Sequence, residues 1–288
     1  MLRSGVIGLG KIGMPMARRV LGKGFPLAVR DVRAEAMESL AEGGARACAS
    51  PAEVARHSDV ICVVVLDDAQ VEEVLLGPQG VVEGAESELV VCVSSTVRES
   101  TVFRLANELR PRGIDVIDAG VAGGYQAAEV GTLVATVGGD RASFDRSRPV
   151  LEAFSKEVIH AGPLGAGMRL KLIKNLISYL AMIAGHEGIL LAEAAGIEPA
   201  VVRHVVEQTG LVDQFFHAAL SRPNSQRLGP DAPAEDLEFA IHFSKVARKD
   251  LLAAVDFGRE VGVDLPYALT ASENAGRLFL APGEPTGE

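Results

Sequence analysis

Short apolar runs alternate with helical patterns through about residue 160, and this alternation limits the chain to few architectures. The runs are rich in Val and Ile, and between most of them apolar residues recur at three- and four-residue spacing. They are VIGL (6–9), PLAVR (26–30), VICVVVL (60–66), LVVCV (89–93), IDVID (114–118) and TLVATV (132–137). Strands that alternate with helices indicate parallel βαβ units, and continuous apolar strands indicate a sheet covered on both faces. The sequence therefore predicts a doubly wound α/β domain.

The pattern changes after Gly162. One long helix is predicted from about Met168 to Ala195, because Gly196 and Pro199 follow it. VVRHVVEQTG, VDQFFHAALS and AIHFSKVARKDLLAAVDFGREVG are also typical of helices, whereas 220–236 is predicted to be a polar loop. We expect an α/β domain over 1–163, an all-helical domain over 164–280 and a disordered tail over 281–288.

Charge and composition exclude several classes of protein. The formal net charge of −10, with scattered Lys and Arg, argues against a nucleic-acid or anionic-membrane surface. The apolar run of the start, MLRSGVIGLG, is too short for a secretory signal, and charges interrupt every stretch long enough for a membrane span. Three widely spaced cysteines fit a reducing compartment, with Cys62 and Cys92 expected to be buried thiols. We therefore expect a cytoplasmic protein.

A nucleotide-binding fingerprint follows the first apolar run. In GVIGLGKIG, Gly8, Gly10 and Gly13 form G-x-G-x-x-G at the start of a helix. The first glycine permits a tight turn, the second lets the backbone approach a pyrophosphate, and the third lets helix and strand pack closely. Leu9 and Ile12 of this loop are predicted to contact the cofactor as well.

An acidic residue at the end of the second run strengthens the prediction of a dinucleotide. Asp31 lies where a carboxylate can bond the ribose hydroxyls of adenosine, and it would repel a 2′-phosphate. The sequence therefore favours NAD, although Arg30 and Arg33 flank Asp31 and could accommodate NADP. Two apolar residues, Val32 and Leu66, are expected to line the same site.

Two lysines and an asparagine share one face of the long helix. Lys171, Lys174 and Asn175 stand at i, i+3 and i+4 in GAGMRLKLIKNL. Spacing alone favours lysines that reach outward to solvent from an amphipathic helix. A lysine held in a cleft is the alternative.

A glycine-rich loop follows the fifth run, at the strand end where open α/β sheets bind ligands. In DAGVAGG (118–124), Gly123 and Gly124 expose backbone N–H groups that could receive a carboxylate. A loop that merely connects two elements would look similar.

Taken together, these segments resemble the β-hydroxyacid dehydrogenase family, which includes 3-hydroxyisobutyrate dehydrogenase and tartronate semialdehyde reductase. The resemblance spans roughly residues 5–275, and its motifs occur in the family's order. They are GLGKIGMPMA (8–17), SST (94–96), DAGVAGG with EVGTL (118–124, 129–133), GAGMRLKLIKN (165–175), and KDLLAA with VGVDLP (249–254, 261–266).

The resemblance implies a Rossmann-like domain, a helical domain that helps form homodimers or homotetramers, and a catalytic lysine at Lys171. It also implies that Asn175 and Ser95 bind substrate, that Ser95 and Thr96 lie beside the nicotinamide, and that Lys249 lies near the cofactor. A lysine whose pKa is depressed can remove the alcohol proton while hydride leaves for the nicotinamide. Lys174 could depress that pKa, and Asn175 could orient the substrate.

Several departures from the family pattern concern the substrate pocket. Gly120 replaces the proline of the usual DAPVSGG, and Ala122 replaces a serine that commonly contacts the substrate carboxylate. Lys174 stands where asparagine or histidine is usual, and His242 where phenylalanine is common. Ala122, Lys174 and His242 are therefore candidate substrate-pocket residues of undetermined role.

These observations predict an NAD(P)-dependent dehydrogenase or reductase for a small 3-hydroxy acid or its semialdehyde. One alternative is an imine reductase of the same superfamily, although those relatives usually carry Asp or Tyr in place of Lys171. Another is a catalytically silent protein that senses NAD(H). No metal site is expected, because none of the six histidines shows paired-ligand spacing.

Overall fold

A computed structural model describes residues 2–86, 88–210 and 227–282. Its sheet contains eight strands in the order β3-β2-β1-β4-β5-β6-β7-β8. The strands are β1 (Ser4–Ile7), β2 (Leu27–Arg30), β3 (Arg46–Ala47), β4 (Val60–Val63), β5 (Leu89–Val93), β6 (Ile114–Ala122), β7 (Leu133–Gly138) and β8 (Ser155–Gly162). The sequence predicted six of them and missed β3 and β8, of which β3 has only two residues and β8 carries polar side chains.

Strand direction differs from the prediction at one place. The pairs from β3 to β6 are parallel, as is β7 with β8, but β6 and β7 pair antiparallel, with Asp118 opposite Gly138. Only residues 123–132 connect β6 to β7, and a parallel crossover needs about a dozen residues or more. The prediction of parallel βαβ units therefore does not hold for β6 and β7, because the chain turns back too soon to form a crossover.

Helices cover both faces of this sheet. They are α1 (Gly13–Gly22), α2 (Glu35–Glu42), α3 (Pro51–Arg56), α4 (Asp68–Leu76), α5 (Val81–Gly84), α6 (Glu99–Leu109), a 3₁₀ turn (Arg110–Arg112), α7 (Gly124–Val130) and α8 (Arg141–Leu151). Every residue of β1, β4 and β5 is buried. The buried apolar side chains form two separate clusters, one on each face of the sheet. Cys62 and Cys92 are buried free thiols, as expected. The predicted Rossmann-like α/β domain is confirmed.

Helices alone follow β8 in the described residues. They are α9 (Ala166–Ala194), α10 (Pro199–Thr209), α11 (Ala234–Glu260), α12 (Pro266–Glu273) and α13 (Ala275–Leu278). The buried carboxylate of Glu187 accepts hydrogen bonds from Tyr267 N and Ala268 N, both at 2.9 Å, and so caps the start of α12. The predicted helical region is confirmed for these segments.

The predicted helix VDQFFHAALS and most of the predicted tail lie outside the described residues. So does the first half of the predicted loop 220–236, whose last residues instead begin α11. The chain divides into two compact units, residues 1–175 and 176–288. The domain boundary at residue 163 stays a prediction.

Within the described ranges, no helix has both the length and the apolar character needed to cross a membrane.

Candidate active site

The loop after β1 turns tightly against the end of β4. Gly8 has φ +95°, and a β-carbon there would overlap the carbonyl of Val64. A β-carbon at Gly13 would overlap Gly8 O, so α1 starts this close to the strand only because residue 13 lacks a side chain. Apart from its chain neighbours, no described atom lies within 4 Å of where a β-carbon of Gly10 would be. The backbone at Gly10 is therefore open to a ligand, as a bound pyrophosphate requires.

A cavity of about 900 Å³ opens beside this loop. Its lining includes Gly10, Ile12, Asp31, Val32, Arg33 and Leu66. Val32 and Leu66 are 91% and 78% exposed and line this cavity, so each presents an apolar side chain to it. Both residues were predicted from the sequence to contact the cofactor. A cavity with an open glycine backbone and apolar walls fits a dinucleotide.

The carboxylate of Asp31 is held by its own chain. Its Oδ2 accepts a hydrogen bond from Leu9 N at 2.6 Å, and its Oδ1 accepts from Arg33 N at 2.9 Å and Arg33 Nε at 3.0 Å. Burial alone would raise the pKa of Asp31, but the bonds from Arg33 and Leu9 outweigh burial and lower it. Asp31 thus joins the glycine loop to the end of β2, while the guanidinium of Arg33 forms an ion pair with its Oδ1.

The loop after β5 carries Ser95 and Thr96. Ser95 is buried, and its Oγ accepts a hydrogen bond from Val65 N at 2.8 Å and lies 3.4 Å from Val63 O. Thr96 is exposed. The predicted substrate contact of Ser95 stays a prediction, although its hydroxyl already joins the ends of β4 and β5.

Lys171 and Asn175 lie in the first three turns of α9. Lys171 is partly buried, and its Cδ and Cβ would lie 2.9 and 3.2 Å from a β-carbon at Gly120, so its stem passes over β6. Burial, and next the charge of Lys174, lower the pKa of Lys171. Lys174 is exposed, and its Nζ donates a hydrogen bond to Asn175 Oδ1 at 3.2 Å. A lysine with a lowered pKa is suited to proton transfer near neutral pH.

The glycine-rich loop joins β6 to α7. Gly123 and Gly124 have φ +124° and +72°, and both are exposed, whereas Ala122 is partly buried at the end of β6. The two glycines therefore have the unusual backbone that their residue type permits and stand open to solvent. Their predicted contact with a carboxylate stays a prediction.

Sequence reasoning did not identify two contacts that hold α9. The buried carboxylate of Asp118 accepts hydrogen bonds from Gly165 N and Met168 N, and Arg169 forms an ion pair with Glu99 at the start of α6. A charged residue at the end of the apolar run IDVID was the available signal for Asp118. The Glu99–Arg169 pair links the start of α6 to α9 and has no comparable signal in the sequence.

Two further predicted residues, His242 and Lys249, lie on α11 in the second unit. His242 is exposed and meets the ring of Phe243 edge-on, with centroids 5.3 Å apart. Lys249 is 75% exposed and pairs with Asp250 at 3.2 Å. Their roles stay predictions. Among the described residues, no group of three or more His, Cys, Asp or Glu side chains could hold a metal ion.

Comparison with known protein families matches nearly the whole chain. Residues 3–162 match the NAD-binding domain of 6-phosphogluconate dehydrogenase. Residues 165–278 match the NAD-binding domain of NADP-dependent 3-hydroxyisobutyrate dehydrogenase. The 3-sulfolactaldehyde reductase of Escherichia coli is 32% identical over 93% of this chain and 87% of its own.

Solved structures show the same fold. The 3-hydroxyisobutyrate dehydrogenase of Mycobacterium tuberculosis, solved with L-serine, is 26% identical, with a TM-score of 0.68 over 96% of this chain and 93% of that one. An imine reductase variant from Myxococcus stipitatus, in complex with NAD⁺, has a TM-score of 0.78 over 96% and 94% of the two chains. At 20% identity, this second likeness shows the fold alone.

Proposed function

The chain belongs to the β-hydroxyacid dehydrogenase family and is an NAD(P)-dependent oxidoreductase, and on that premise we propose that it interconverts a small 3-hydroxy acid with its semialdehyde or ketone. The family and the nicotinamide cofactor predicted from the motifs are thereby confirmed. When bound, the nicotinamide carries the electrons of the reaction as hydride. The substrate class and the residue roles below are our proposal.

We assign proton transfer to Lys171, and its environment is the observation that carries the proposal. The side chain is partly buried over Gly120, and burial together with Lys174 lowers its pKa. The neutral amine is therefore more accessible near neutral pH than that of an exposed lysine. In oxidation this amine accepts the proton of the substrate hydroxyl, and in reduction the ammonium returns it.

Asn175 is proposed to orient the substrate. It stands one turn after Lys171 on the same face of α9. Lys174 donates to Asn175 Oδ1, so the amide Nδ2 is the group that we assign to a substrate oxygen. Lys174 would thereby fix the amide orientation in addition to lowering the pKa of Lys171.

The exposed amides of Gly123 and Gly124 are proposed to hold the substrate carboxylate. Ala122 offers no hydroxyl at the position where the family commonly has serine, so backbone N–H groups would replace that donor. The L-serine of the M. tuberculosis structure, which has a carboxylate and a 3-hydroxyl, supports this substrate class.

For the cofactor we propose a preference for NAD, with NADP as a second acceptor. The carboxylate of Asp31 would repel a 2′-phosphate. Arg33 pairs with Asp31 at 3.0 Å and has a side chain 58% exposed, so it offsets part of that repulsion. We further propose a homodimer or homotetramer formed through the helical unit.

A substrate panel with a lysine variant tests the proposal. Purified protein would be assayed with 3-hydroxy acids, their semialdehydes and cyclic imines, with NAD(H) and NADP(H) in parallel, by nicotinamide absorbance. We expect turnover of a hydroxy acid or semialdehyde, and a loss of about 10³-fold or more in kcat for Lys171→Ala with cofactor affinity retained.

Other outcomes would reject parts of the proposal. Turnover confined to imines would favour the imine reductase alternative, and tight cofactor binding without turnover would favour a regulatory protein. Lys156→Ala, at an exposed lysine on β8, is the matched control and should behave as wild type. Undiminished turnover by Lys171→Ala would remove the lysine from its assigned role.

A further inference from the structure

A buried carboxylate lies at the N-terminus of the helix that carries Lys171. Asp118, on β6, is 0% exposed. Its Oδ1 accepts a hydrogen bond from Gly165 N at 2.6 Å, and its Oδ2 accepts from Met168 N at 2.5 Å. Met168 lies in the first turn of α9 and Gly165 directly precedes the helix, so neither N–H group has a partner inside the helix. Asp118 therefore caps α9 from a different element.

Strand β7 packs closely against the first turn of α9. A β-carbon at Gly167 would overlap Thr136 O on β7 and lie 2.7 Å from Gly138 N and 2.9 Å from Asp118 Oδ2. Gly138 is the residue paired with Asp118 across the sheet. The first turn of α9 thus packs directly on the backbone of β7 beside its cap.

A second polar side chain holds this turn. The Thr136 hydroxyl lies 3.0 Å from Gly167 O and 3.2 Å from Gly120 O, and its single proton serves one of them at a time. In a regular α-helix, the carbonyl of Gly167 also accepts from the N–H of Lys171, four residues later. The stem of Lys171 in turn passes over Gly120, which is paired with Thr136. One continuous set of contacts therefore runs from β6 and β7 to the lysine.

From these contacts we propose that Asp118 is a positioning residue for Lys171, which fixes the start of α9 on the sheet and so holds the amine where it transfers the substrate proton. This inference rests on the proposed role of Lys171. Burial raises the pKa of Asp118, whereas the two N–H donors and the positive end of the helix dipole favour a carboxylate that accepts at both oxygens. An amide of the same shape can accept at only one oxygen.

The proposal predicts a change in turnover rather than in binding. In Asp118→Asn, either Gly165 N or Met168 N loses its acceptor, so the first turn of α9 shifts on β7. A misplacement of about 1 Å can cost about 100-fold in rate, so we expect kcat to fall about 10- to 100-fold. KM and cofactor affinity should change less than about threefold.

The pH profile separates positioning from simple loss of stability. If Lys171 is displaced, its amine becomes more accessible to water. Burial then lowers the pKa of Lys171 less, and this pKa rises toward its ordinary value. The acidic limb of the oxidation profile, where the lysine must be neutral, should then move to higher pH. A variant that merely lost folded protein would keep the limb in place.

The matched control is Asp115→Asn on the same strand, whose carboxylate accepts from Ser143 Oγ at 2.9 Å. It should retain wild-type kcat and pH profile. The proposal would be overturned if Asp118→Asn kept the wild-type kcat and pH profile, or if its kcat fell while the acidic limb stayed in place. An equal loss of kcat in Asp115→Asn would overturn it as well. Turnover by Lys171→Ala would reject the proposed function instead, so the two failures are distinct.

A second pair of variants decides the question if Asp118→Asn does not fold. Thr136→Val removes the hydroxyl that bonds the first turn, whereas Thr136→Ser keeps it. We expect a lower kcat and a shifted acidic limb in the valine variant, and both restored in the serine variant. Equal profiles in the two variants would overturn the proposal.

Discussion

A partly buried lysine beside an exposed one is the arrangement of charges on which the proposed chemistry depends. Burial acts first on Lys171 because an ammonium loses hydration there, and the like charge of Lys174 acts in the same direction. The two causes differ in their sensitivity to salt. Attraction or repulsion between exposed charges is screened over roughly 10 Å at 0.1 M salt, whereas the effect of burial is not.

Replacing Lys174 should therefore shift the pH dependence of oxidation. In Lys174→Met the like charge disappears, so the pKa of Lys171 rises and less neutral amine is present at a given pH. The acidic limb of kcat should move to higher pH, with a loss of about two- to fivefold at neutral pH because Lys174 is exposed. Initial rates from pH 5.5 to 10 would measure the limb.

Lys156→Met provides the control, since it removes an exposed positive charge outside α9. High salt should reduce the difference between wild type and Lys174→Met. A limb that moves to lower pH, or one that moves equally in the control, would contradict an electrostatic role for Lys174.

Single residues differ in how far the sequence determined their place. Gly8 and Gly13 could be predicted because a local turn requires them, and the structure shows the contacts that exclude side chains there. Asp118 could not be predicted as a cap, because the N–H groups of Gly165 and Met168 are 47 and 50 residues away. The buried hydroxyl of Ser95 likewise depends on a strand pairing that no local pattern shows.

At the scale of elements, apolar runs predicted the strands well and their directions less well. The antiparallel β7 follows from the short connection through α7, and that reversal aligns Asp118 with Gly138 and Gly120 with Thr136. A parallel β7 would not give this register. The position of the start of α9 on β6 and β7 thus depends on the sheet topology. Hydrophobic periodicity in the sequence does not determine that topology.

The packing of α9 on β7 predicts opposite effects for two glycines of the same helix. Gly167→Ala places a methyl group against Thr136 O, Gly138 N and Asp118 Oδ2. The backbone must move, so we expect the free energy of unfolding to fall by about 1–3 kcal/mol, with a lower kcat. Urea unfolding followed by circular dichroism would measure the change.

Gly185→Ala is the matched control on α9. No described atom outside its own helix neighbourhood lies within 4 Å of the added methyl group. Alanine restricts the unfolded chain more than glycine does, so a gain of about 0.5–1 kcal/mol is expected. If the free energy of unfolding of Gly167→Ala equalled that of Gly185→Ala, the first turn of α9 would not pack on β7 as closely as described.

At the scale of the molecule, the two compact units differ in how well they bury apolar side chains. The strands of the first unit lie between two apolar clusters. In the described part of the second unit, α10 has no fully buried side chain, and Val201, Val205 and Val206 are 52%, 53% and 43% exposed. The order of family motifs predicted a helical unit that forms oligomers, whereas the particular surface is visible only in three dimensions.

The exposed valines of α10 lead us to expect a homo-oligomer in solution, since contiguous apolar patches mark association surfaces. A dimer of the 30.2 kDa chain has a mass of about 60 kDa and a tetramer about 120 kDa, which light scattering after gel filtration distinguishes. Val201→Glu with Val205→Glu should lower the mass toward that of one chain, because buried unpaired carboxylates oppose association. Arg203→Glu, at an exposed position on the same helix, should leave it unchanged. A wild-type protein of one-chain mass would refute the oligomer, and a double variant of full mass would place the contact away from α10.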